Sequence, residues 1–302
     1  MSRNIIITGG AGFIGSNLAN HHISMGDNVT VIDNFQTSHK TDKLPGTIIE
    51  QDLTSFKIPG ELLRDADLVY HMASSVGVKF VDLHPDHVIQ SMIKMNLNLL
   101  PQFEKHECRV IFASTSEVYG NNSDAKEDDN LQIGNPEKLR WGYACGKLMT
   151  EFLLKTYTFP TTVARFFNIT GPGQLSTHGM VLPIFIEKAK SNQDIIVHGS
   201  GKQTRSFCDI RDAINMLDII SSADHIGETY NIGNSDNLVT ILDLAREVID
   251  ITESSSNIIR EDYTSHFSDQ FCDIFSRSPN VNKISKYYKP KYNINDIITN
   301  MQ

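Results

Sequence analysis

Residues 4–15 of the chain read NIIITGGAGFIG, an apolar run that leads directly into a glycine-rich turn. Three consecutive isoleucines predict a buried strand over Asn4–Thr8. The residues after the turn, Gly12–Met25, have the composition of a helix. A strand, a tight turn and a helix in this order predict that the chain begins with a unit of an α/β fold.

The glycines of this turn, Gly9, Gly12 and Gly15, have the spacing GxxGxxG. Glycines let the backbone approach a pyrophosphate, and the N-terminus of the following helix offers free N–H groups to it. Asp33 ends the next predicted strand, where an acid accepts hydrogen bonds from an adenosine ribose. Because a carboxylate repels a 2′-phosphate, the sequence predicts NAD rather than NADP. Asp52 follows the third strand, where it would either meet the adenine or hold a turn.

Strands and helices alternate through the first half of the chain. The predicted strands there are Asn4–Thr8, Val29–Asp33, Thr47–Asp52, Ala66–His71, Arg109–Ser114 and Thr161–Arg165, and the later helices are Pro85–Glu104 and Tyr143–Tyr157. This alternation predicts an α/β fold with a Rossmann-type, doubly wound parallel sheet covered on both faces.

The alternation breaks at a Gly-Pro-Gly sequence, residues 171–173. We therefore expect an NAD-binding Rossmann domain over residues 1–172. A smaller mixed α/β lobe that binds substrate is expected over residues 173–302. Its predicted elements are Val181–Lys190, Ile195–His198, Glu228–Ile232 and Thr240–Ile251.

The composition is that of a soluble globular enzyme, with 302 residues, 40% of them hydrophobic and 21% charged. The net charge of −9 disfavours nonspecific binding to nucleic acid. No run approaches the ~20 apolar residues of a membrane span, so no membrane partner is expected. The cysteines form no CxxC pair or zinc spacing, and the N-terminus has no signal-peptide pattern. We expect a cytoplasmic protein with reduced thiols and no metal.

Tyr143 and Lys147 form a YxxxK spacing that places both side chains on one face of a helix. A lysine ammonium near a phenol lowers the phenol's pKa from about 10, and the resulting phenolate can take a proton from a sugar hydroxyl. Upstream, the sequence STSEVYG begins where another predicted strand ends, which is where open α/β sheets place ligands. There, Thr115 offers a hydroxyl to the same substrate oxygen and Glu117 offers a carboxylate.

These residues resemble the extended short-chain dehydrogenase/reductases, the NAD-dependent nucleotide-sugar epimerases, dehydratases and decarboxylases. The likeness covers essentially the whole chain. Its motifs, in order, are TGGAGFIGSNL from Thr8, HMAS from His71, Asn96, STSEVYG from Ser114, the YxxxK pair, RFFNITGPG from Arg165, GSGKQTRSF from Gly199, NIGN from Asn231 and SRSPN from Ser276.

The resemblance implies an NAD-dependent enzyme acting on a nucleotide-diphosphate sugar, with a UDP-sugar favoured. Tyr143 would be the base, Lys147 its electrostatic partner and Thr115 the residue that binds the sugar hydroxyl, with Glu117 beside them. The implied cofactor-binding residues are Gly9, Gly12, Phe13, Ile14, Gly15, Asp33, Asn34, Asp52, Leu53, Tyr143 and Lys147. The implied substrate-binding residues are Lys79, Ser116, Asn168, Arg205 and Arg277.

Several of these residues keep a structural alternative. Arg205 and Arg277 would clamp the diphosphate, or they are surface charges. Asn168 would touch the substrate, or it is a turn residue. The resemblance also implies a homodimer formed through the helices predicted over 85–104 and 143–157.

Related enzymes first oxidise C4 of the sugar, and the fate of the 4-keto sugar differs among them. Dehydratases carry Asp-Glu after the threonine, whereas this chain has Ser116-Glu117 and so lacks the acid for loss of water. Thr-Ser-Glu and Arg277 are similar to the UDP-glucuronate decarboxylases, in which a β-keto acid loses carbon dioxide. The stretch Ser75–Val81 looks more like that of sugar epimerases.

We therefore expect C4 epimerisation of a UDP-sugar first, decarboxylation of UDP-glucuronate second and dehydration third. Outside the enzyme class, a non-catalytic NAD-binding regulator is the alternative. The intact Thr115, Tyr143 and Lys147 argue against that alternative.

Overall fold

The computed structural model describes residues 2–38, 44–263 and 274–302. Its strands are β1 Asn4–Thr8, β2 Asn28–Asp33, β3 Thr47–Glu50, β4 Leu68–His71, β5 Val110–Thr115, β6 Asn122–Ala125, β7 Thr161–Phe166, β8 Ile169–Thr170, β9 Ile195–His198, β10 Thr204–Ser206, β11 Cys208–Asp209, β12 Thr229–Ile232, β13 Leu238–Thr240, β14 Ile258–Glu261 and β15 Ser276–Pro279. Its helices are α1 Phe13–Ser24, α2 Gly60–Arg64, α3 Val78–Leu83, α4 Pro85–Lys105, α5 Trp141–Leu154, α6 Val181–Lys190, α7 Ile210–Ile220, α8 Ile241–Ile251 and α9 Ile294–Met301.

Seven strands form the main sheet in the order β12-β7-β5-β4-β1-β2-β3, and all neighbouring pairs are parallel. Because successive side chains of a strand point to opposite faces, the three isoleucines of β1 divide between two cores. Ile5 and Ile7 pack with Leu18 of α1 and Leu217 of α7. Ile6 packs on the other face with residues of α4 such as Phe103. The predicted doubly wound sheet is confirmed.

The outermost strand of this sheet, β12, comes from the C-terminal part of the chain and pairs with β7. The C-terminal part also has its own core between α6, α8 and α9, to which Phe185, Leu244 and Ile297 contribute. The division of the chain near residue 172 stays a prediction, with the chain crossing back into the main sheet after it.

A second sheet, in the order β13-β10-β15-β6, joins the two parts of the chain. In it Arg277 of β15 is paired with Asn122 of β6 on one side and with Arg205 of β10 on the other. Since β6 lies only a few residues after the end of β5, this sheet brings Arg277 next to the segment that follows β5.

The turn after β1 requires glycine for two separate reasons. Gly9 has a φ of 69°, and a Cβ there would lie 2.6 Å from the backbone N and Cα of Ala73, in the loop after β4. Gly12 is the N-cap residue of α1, and no described side chain caps the first turn of that helix. The free N–H groups at this end of α1 therefore face the loop region with no side chain bonded to them.

Replacing Gly9 by alanine should destabilise the fold more than the same change at Gly26. Gly26 also has a positive φ, of 85°, but a Cβ there would meet nothing within 4 Å. Gly26→Ala should lower the free energy of unfolding by about 1–2 kcal/mol, the usual cost of a left-handed residue. Gly9→Ala adds the clash with Ala73 and should cost more. Equal losses in urea-induced unfolding would contradict this account of the turn.

Candidate active site

A cavity of about 840 Å³ lies at the carboxyl ends of the strands of the main sheet. It is formed by the segments that follow β1, β2, β4, β5 and β7, as expected for an open α/β sheet. The predicted site residues that line it are Gly9, Gly12, Phe13, Ile14, Gly15, Asp33, Asn34, Asp52, Leu53, Thr115, Ser116, Glu117, Tyr143, Lys147, Asn168 and Arg277. The cavity thus joins the glycine turn to the YxxxK pair in one space.

Asp33 supports the glycine turn as well as facing the cavity. One of its carboxylate oxygens accepts a hydrogen bond from the Ala11 N–H at 3.0 Å, and the other accepts one from the Phe35 N–H at 2.8 Å. Since an ionised carboxylate has about four acceptor sites, these bonds leave capacity for ribose hydroxyls. Asp52 both lines the cavity and holds a turn, because its side chain accepts from the Thr54 N–H at 2.8 Å.

The residues at this end of the cavity fit NAD. The glycine turn and the first residues of α1 line the cavity, and no side chain caps that helix, so a ligand phosphate can reach its N-terminal N–H groups. The Asp33 carboxylate lies at the end of β2, where it suits two ribose hydroxyls and opposes an added phosphate.

Tyr143 lies at the other end of the cavity, near the hydroxyls of Thr115 and Ser74. Burial and the charge of Glu117 raise the pKa of its phenol, and Arg277, Thr115 and Ser74 oppose that rise. The predicted lowering of this pKa by Lys147 stays a prediction. The Glu117 and Arg277 charges act most strongly on the phenol because both residues meet close to it.

Lys147 is buried on the same helix, one turn after Tyr143. Its ammonium donates a hydrogen bond at 2.7 Å to the carbonyl of Ala113 in β5 and lies 5.1 Å from the centre of the Phe112 ring. Burial lowers the pKa of Lys147 to about 7, and the charge of Glu151 raises it. The lysine is therefore tied to the sheet, one helical turn from Tyr143.

The charges of this end of the cavity centre on Glu117. Its Oε1 accepts hydrogen bonds from Nη2 of Arg140 and from Nη1 of Arg277, both at 3.1 Å. Burial tends to raise the pKa of Glu117, but Arg140 and then Arg277 outweigh it, so the net effect is a pKa below the usual range. Glu117 is therefore ionised at neutral pH.

Asn168 positions Arg277 rather than serving only as a turn residue. Its Oδ1 accepts from Nη2 of Arg277 at 2.6 Å, and its Nδ2 donates to the carbonyl of Ser206 at 3.0 Å. Arg277 is buried, and burial lowers its pKa to about 10. Its Nε has no hydrogen-bond partner among the described residues.

Two predicted substrate residues are not brought into the cavity lining. Arg205 is buried behind it, next to Arg277 in the small sheet, and donates to the carbonyl of Thr204 at 2.7 Å. Its charge acts on Arg277, so it belongs to the same cationic cluster. The side chain of Lys79 lies outside what the structure describes. The roles assigned to Lys79 and Arg205 stay predictions.

Sequence reasoning missed Arg140 and Ser74. Arg140 lies three residues before Tyr143, so a search for charged residues one turn before the YxxxK pair would have found it. Ser74 is the last residue of the HMAS motif, which identifies the loop after β4.

His71 has a structural role beneath this loop. It is fully buried between Thr8, 2.7 Å from its Nδ1, and Asn96, 3.1 Å from its Nε2. Burial and the charge of Lys147 lower its pKa to about 4, so the ring stays neutral and holds the ends of β1 and β4 to α4.

The described ranges contain no group of three histidine, cysteine, aspartate or glutamate residues that could hold a metal. Within the same ranges no helix is both long and apolar enough to cross a membrane. Cys108, Cys145 and Cys208 are free thiols, and Cys272 lies outside the described residues.

Comparison with curated proteins shows clear relatives. A UDP-N-acetyl-α-D-glucosaminuronate decarboxylase of Bacillus cytotoxicus is 35% identical over 295 residues, which cover 95% of this chain and 92% of that protein. A UDP-glucuronic acid decarboxylase of Arabidopsis thaliana is 30% identical over 98% of this chain and 68% of its own length.

Solved structures show the same fold. A UDP-glucose 4-epimerase of Thermotoga maritima, solved with UDP-glucose, superposes with a TM-score of 0.85 at 22% identity, covering 98% of this chain and 96% of that one. The sequence also matches the profile of the NAD dependent epimerase/dehydratase family over residues 5–233, which includes the glycine turn and the YxxxK pair. The chain therefore belongs to the NAD-dependent epimerase/dehydratase family of enzymes, and NAD is its cofactor.

Proposed function

We propose that the enzyme decarboxylates a UDP-hexuronate, a UDP-sugar with a carboxylate at C6. The observation that carries this proposal is the position of Arg140 and Arg277 on a single oxygen of Glu117. Within this trio two cations meet one anion, although the chain as a whole has a net charge of −9. Two guanidiniums that line the cavity beside the predicted base suit a carboxylated sugar better than a neutral one.

The comparisons support decarboxylation over the reaction that the sequence ranked first. C4 epimerisation is not supported, because both curated relatives described above are decarboxylases. The epimerase structures are too distant in sequence to indicate more than the fold. Dehydration stays disfavoured, since Ser116 replaces the acid that loss of water needs. The regulator hypothesis is not supported either, since the relatives are enzymes.

The side chains of the cavity suit the first part of this reaction. Tyr143 takes the proton of the C4 hydroxyl as a phenolate, a form that the Lys147 ammonium one helical turn away would favour. Thr115 holds the same oxygen. NAD, when bound, supplies the hydride acceptor for oxidation at that carbon. The ketone formed at C4 is β to the C6 carboxylate. The C5–C6 bond can therefore break with its electron pair passing to the ketone oxygen, and carbon dioxide leaves. A proton from water at C5, return of the hydride to C4 and return of the proton from Tyr143 to the C4 oxygen would then give a product lighter by carbon dioxide alone, with the cofactor again oxidised.

Glu117 has a different role from a proton donor. Because the two arginines hold its pKa below the usual range, it carries no proton at neutral pH to give to C5. Its carboxylate instead fixes the directions of two guanidiniums toward the cavity. Asn168 holds one of them, Arg277, from the other side. The site is therefore preorganised for an anion before substrate enters.

We also infer that two copies of the chain associate through α4 and α5. These helices pack side by side and leave large apolar side chains in solvent, with Leu97 57%, Met149 45% and Phe152 68% exposed. Apolar side chains at neighbouring helical positions form a face that a second copy can cover. The predicted cytoplasmic location stays a prediction.

The proposed reaction predicts carbon dioxide release only from carboxylated substrates. We expect NAD-loaded enzyme to convert UDP-N-acetylglucosaminuronate, UDP-glucuronate or both to products lighter by the mass of carbon dioxide. UDP-glucose and UDP-N-acetylglucosamine serve as neutral controls. Conversion of a neutral sugar to its C4 epimer, with both carboxylated sugars unchanged, would overturn the proposal. Loss of water would indicate a dehydratase.

Glu117→Gln should lower the decarboxylation rate by about 10²-fold, comparable to loss of one preorganised electrostatic group. Glutamine keeps the shape but loses the charge that orients both guanidiniums. Glu187→Gln on the exposed face of α6 makes the same chemical change outside the cavity and should leave the rate unaltered. Full activity of Glu117→Gln would show that the carboxylate has no part in the reaction.

Met149→Lys should convert the protein from dimer to monomer, because a lysine ammonium would be buried at the proposed contact. Light scattering coupled to gel filtration measures the mass directly. Met25→Lys, at a methionine that is 65% exposed elsewhere on the surface, is the matched control and should remain dimeric. A wild-type mass equal to one chain would contradict the proposed association.

A further inference from the structure

We propose that Arg140 is a specificity-determining residue, which selects sugars with a C6 carboxylate by binding that carboxylate together with Arg277. This inference rests on the proposed function for the class of substrate. It adds a role for a residue that no motif of the family resemblance contained.

The position of Arg140 is fixed relative to the predicted base. It lies immediately before α5, and its carbonyl accepts a hydrogen bond from the Tyr143 N–H at 3.2 Å. Residues three apart on a helical turn are neighbours on the same side. The guanidinium and the phenol are therefore carried by one rigid turn of the backbone, and both line the cavity.

The side chain of Arg140 is held in place by Glu117 at 3.1 Å. It is only 10% exposed, and that of Arg277, on the same carboxylate oxygen, is 11% exposed. Both guanidiniums are thus largely removed from bulk water. Their attraction for an anion is therefore stronger than it would be at the surface. Each planar guanidinium presents its N–H donors in a fork that matches the two oxygens of a carboxylate.

The geometry assigns this pair to a carboxylate rather than to the diphosphate. Glu117 and Arg277 both act on the pKa of Tyr143, so the charged trio lies at the reacting end of the sugar. If Tyr143 takes the C4 proton, C6 is only two bonds away from that carbon. The diphosphate is attached to C1, on the opposite side of the six-membered ring.

The direct test is a comparison of three ligands by calorimetry on NAD-loaded Tyr143→Phe protein, in which the missing base prevents turnover. UDP-glucuronate carries the carboxylate, UDP-glucose replaces it with a neutral hydroxymethyl group, and UDP lacks the sugar. We expect this protein, with Arg140 intact, to bind UDP-glucuronate more tightly than UDP-glucose. Adding Arg140→Gln should weaken the binding of UDP-glucuronate by roughly tenfold or more, the scale of a lost charge-assisted hydrogen bond. Binding of UDP-glucose and UDP should stay close to that of the protein with Arg140 intact.

Two further variants separate this role from a structural one. Arg140→Lys keeps the charge without the planar fork and should retain part of the preference for UDP-glucuronate. Arg246→Gln removes an exposed arginine that pairs with Asp243 on α8 and should change none of the three affinities. The melting temperature and NAD affinity of each variant show whether it is folded.

The outcomes distinguish this inference from the proposed reaction. Equal weakening of all three ligands in Arg140→Gln, or no weakening, would overturn the role of Arg140 even if wild-type enzyme releases carbon dioxide. Selective loss of UDP-glucuronate binding would support the role even if no carbon dioxide forms, and then the proposed decarboxylation alone would fail.

Discussion

Two guanidiniums on one carboxylate oxygen are the interaction on which the catalytic end of this enzyme depends. Arg140, just before α5, and Arg277, in β15, meet at Glu117, each at 3.1 Å. Removing a buried carboxylate from such an arrangement would leave like charges together at a cost of several kcal/mol. The trio therefore holds its geometry before substrate binds and keeps Glu117 ionised.

The fold brings these three residues together from distant parts of the sequence. Strand β5 of the main sheet ends at Thr115, which places Glu117 at the rim of the cavity. The small sheet then carries Arg277 to that rim by pairing β15 with β6. Arg140 arrives on the turn that starts α5. The same three elements also lie next to Tyr143. The backbone therefore fixes the position of the charged trio relative to the predicted base.

At the cofactor end of the cavity, close packing of the backbone shapes the site. Gly9 lies against Ala73 so closely that the two loops after β1 and β4 form one surface. Beneath them, His71 joins β4 to Thr8 and Asn96 through buried hydrogen bonds. These contacts fix the glycine turn that NAD phosphates would approach, independently of the charged trio.

Much of this could be predicted from the sequence where the information is local. The isoleucines of β1, the glycine spacing and the acid at Asp33 each predict a feature within a few residues of themselves. The family resemblance supplied Glu117 and Arg277 as separate residues. Their meeting could not be predicted, because 160 positions separate them and only the pairing of β15 with β6 joins them.

The ranking of the candidate reactions, with C4 epimerisation ahead of decarboxylation, is not supported for a related physical reason. The stretch Ser75–Val81 favoured an epimerase by its appearance. The chemical choice depends on what surrounds Glu117, and Arg140 was not recognised as part of that surrounding. The ammonium of Lys147 bonds to the carbonyl of Ala113, and its effect on the acidity of Tyr143 stays a prediction.

A crystal structure of the enzyme with NAD and UDP-glucuronate would test the central claim most directly. This account predicts that the C6 carboxylate lies within hydrogen-bond distance of the guanidiniums of Arg140 and Arg277, with the C4 hydroxyl on the phenol of Tyr143. A complex in which the diphosphate occupies that pair of arginines, and the carboxylate points away from it, would contradict the account.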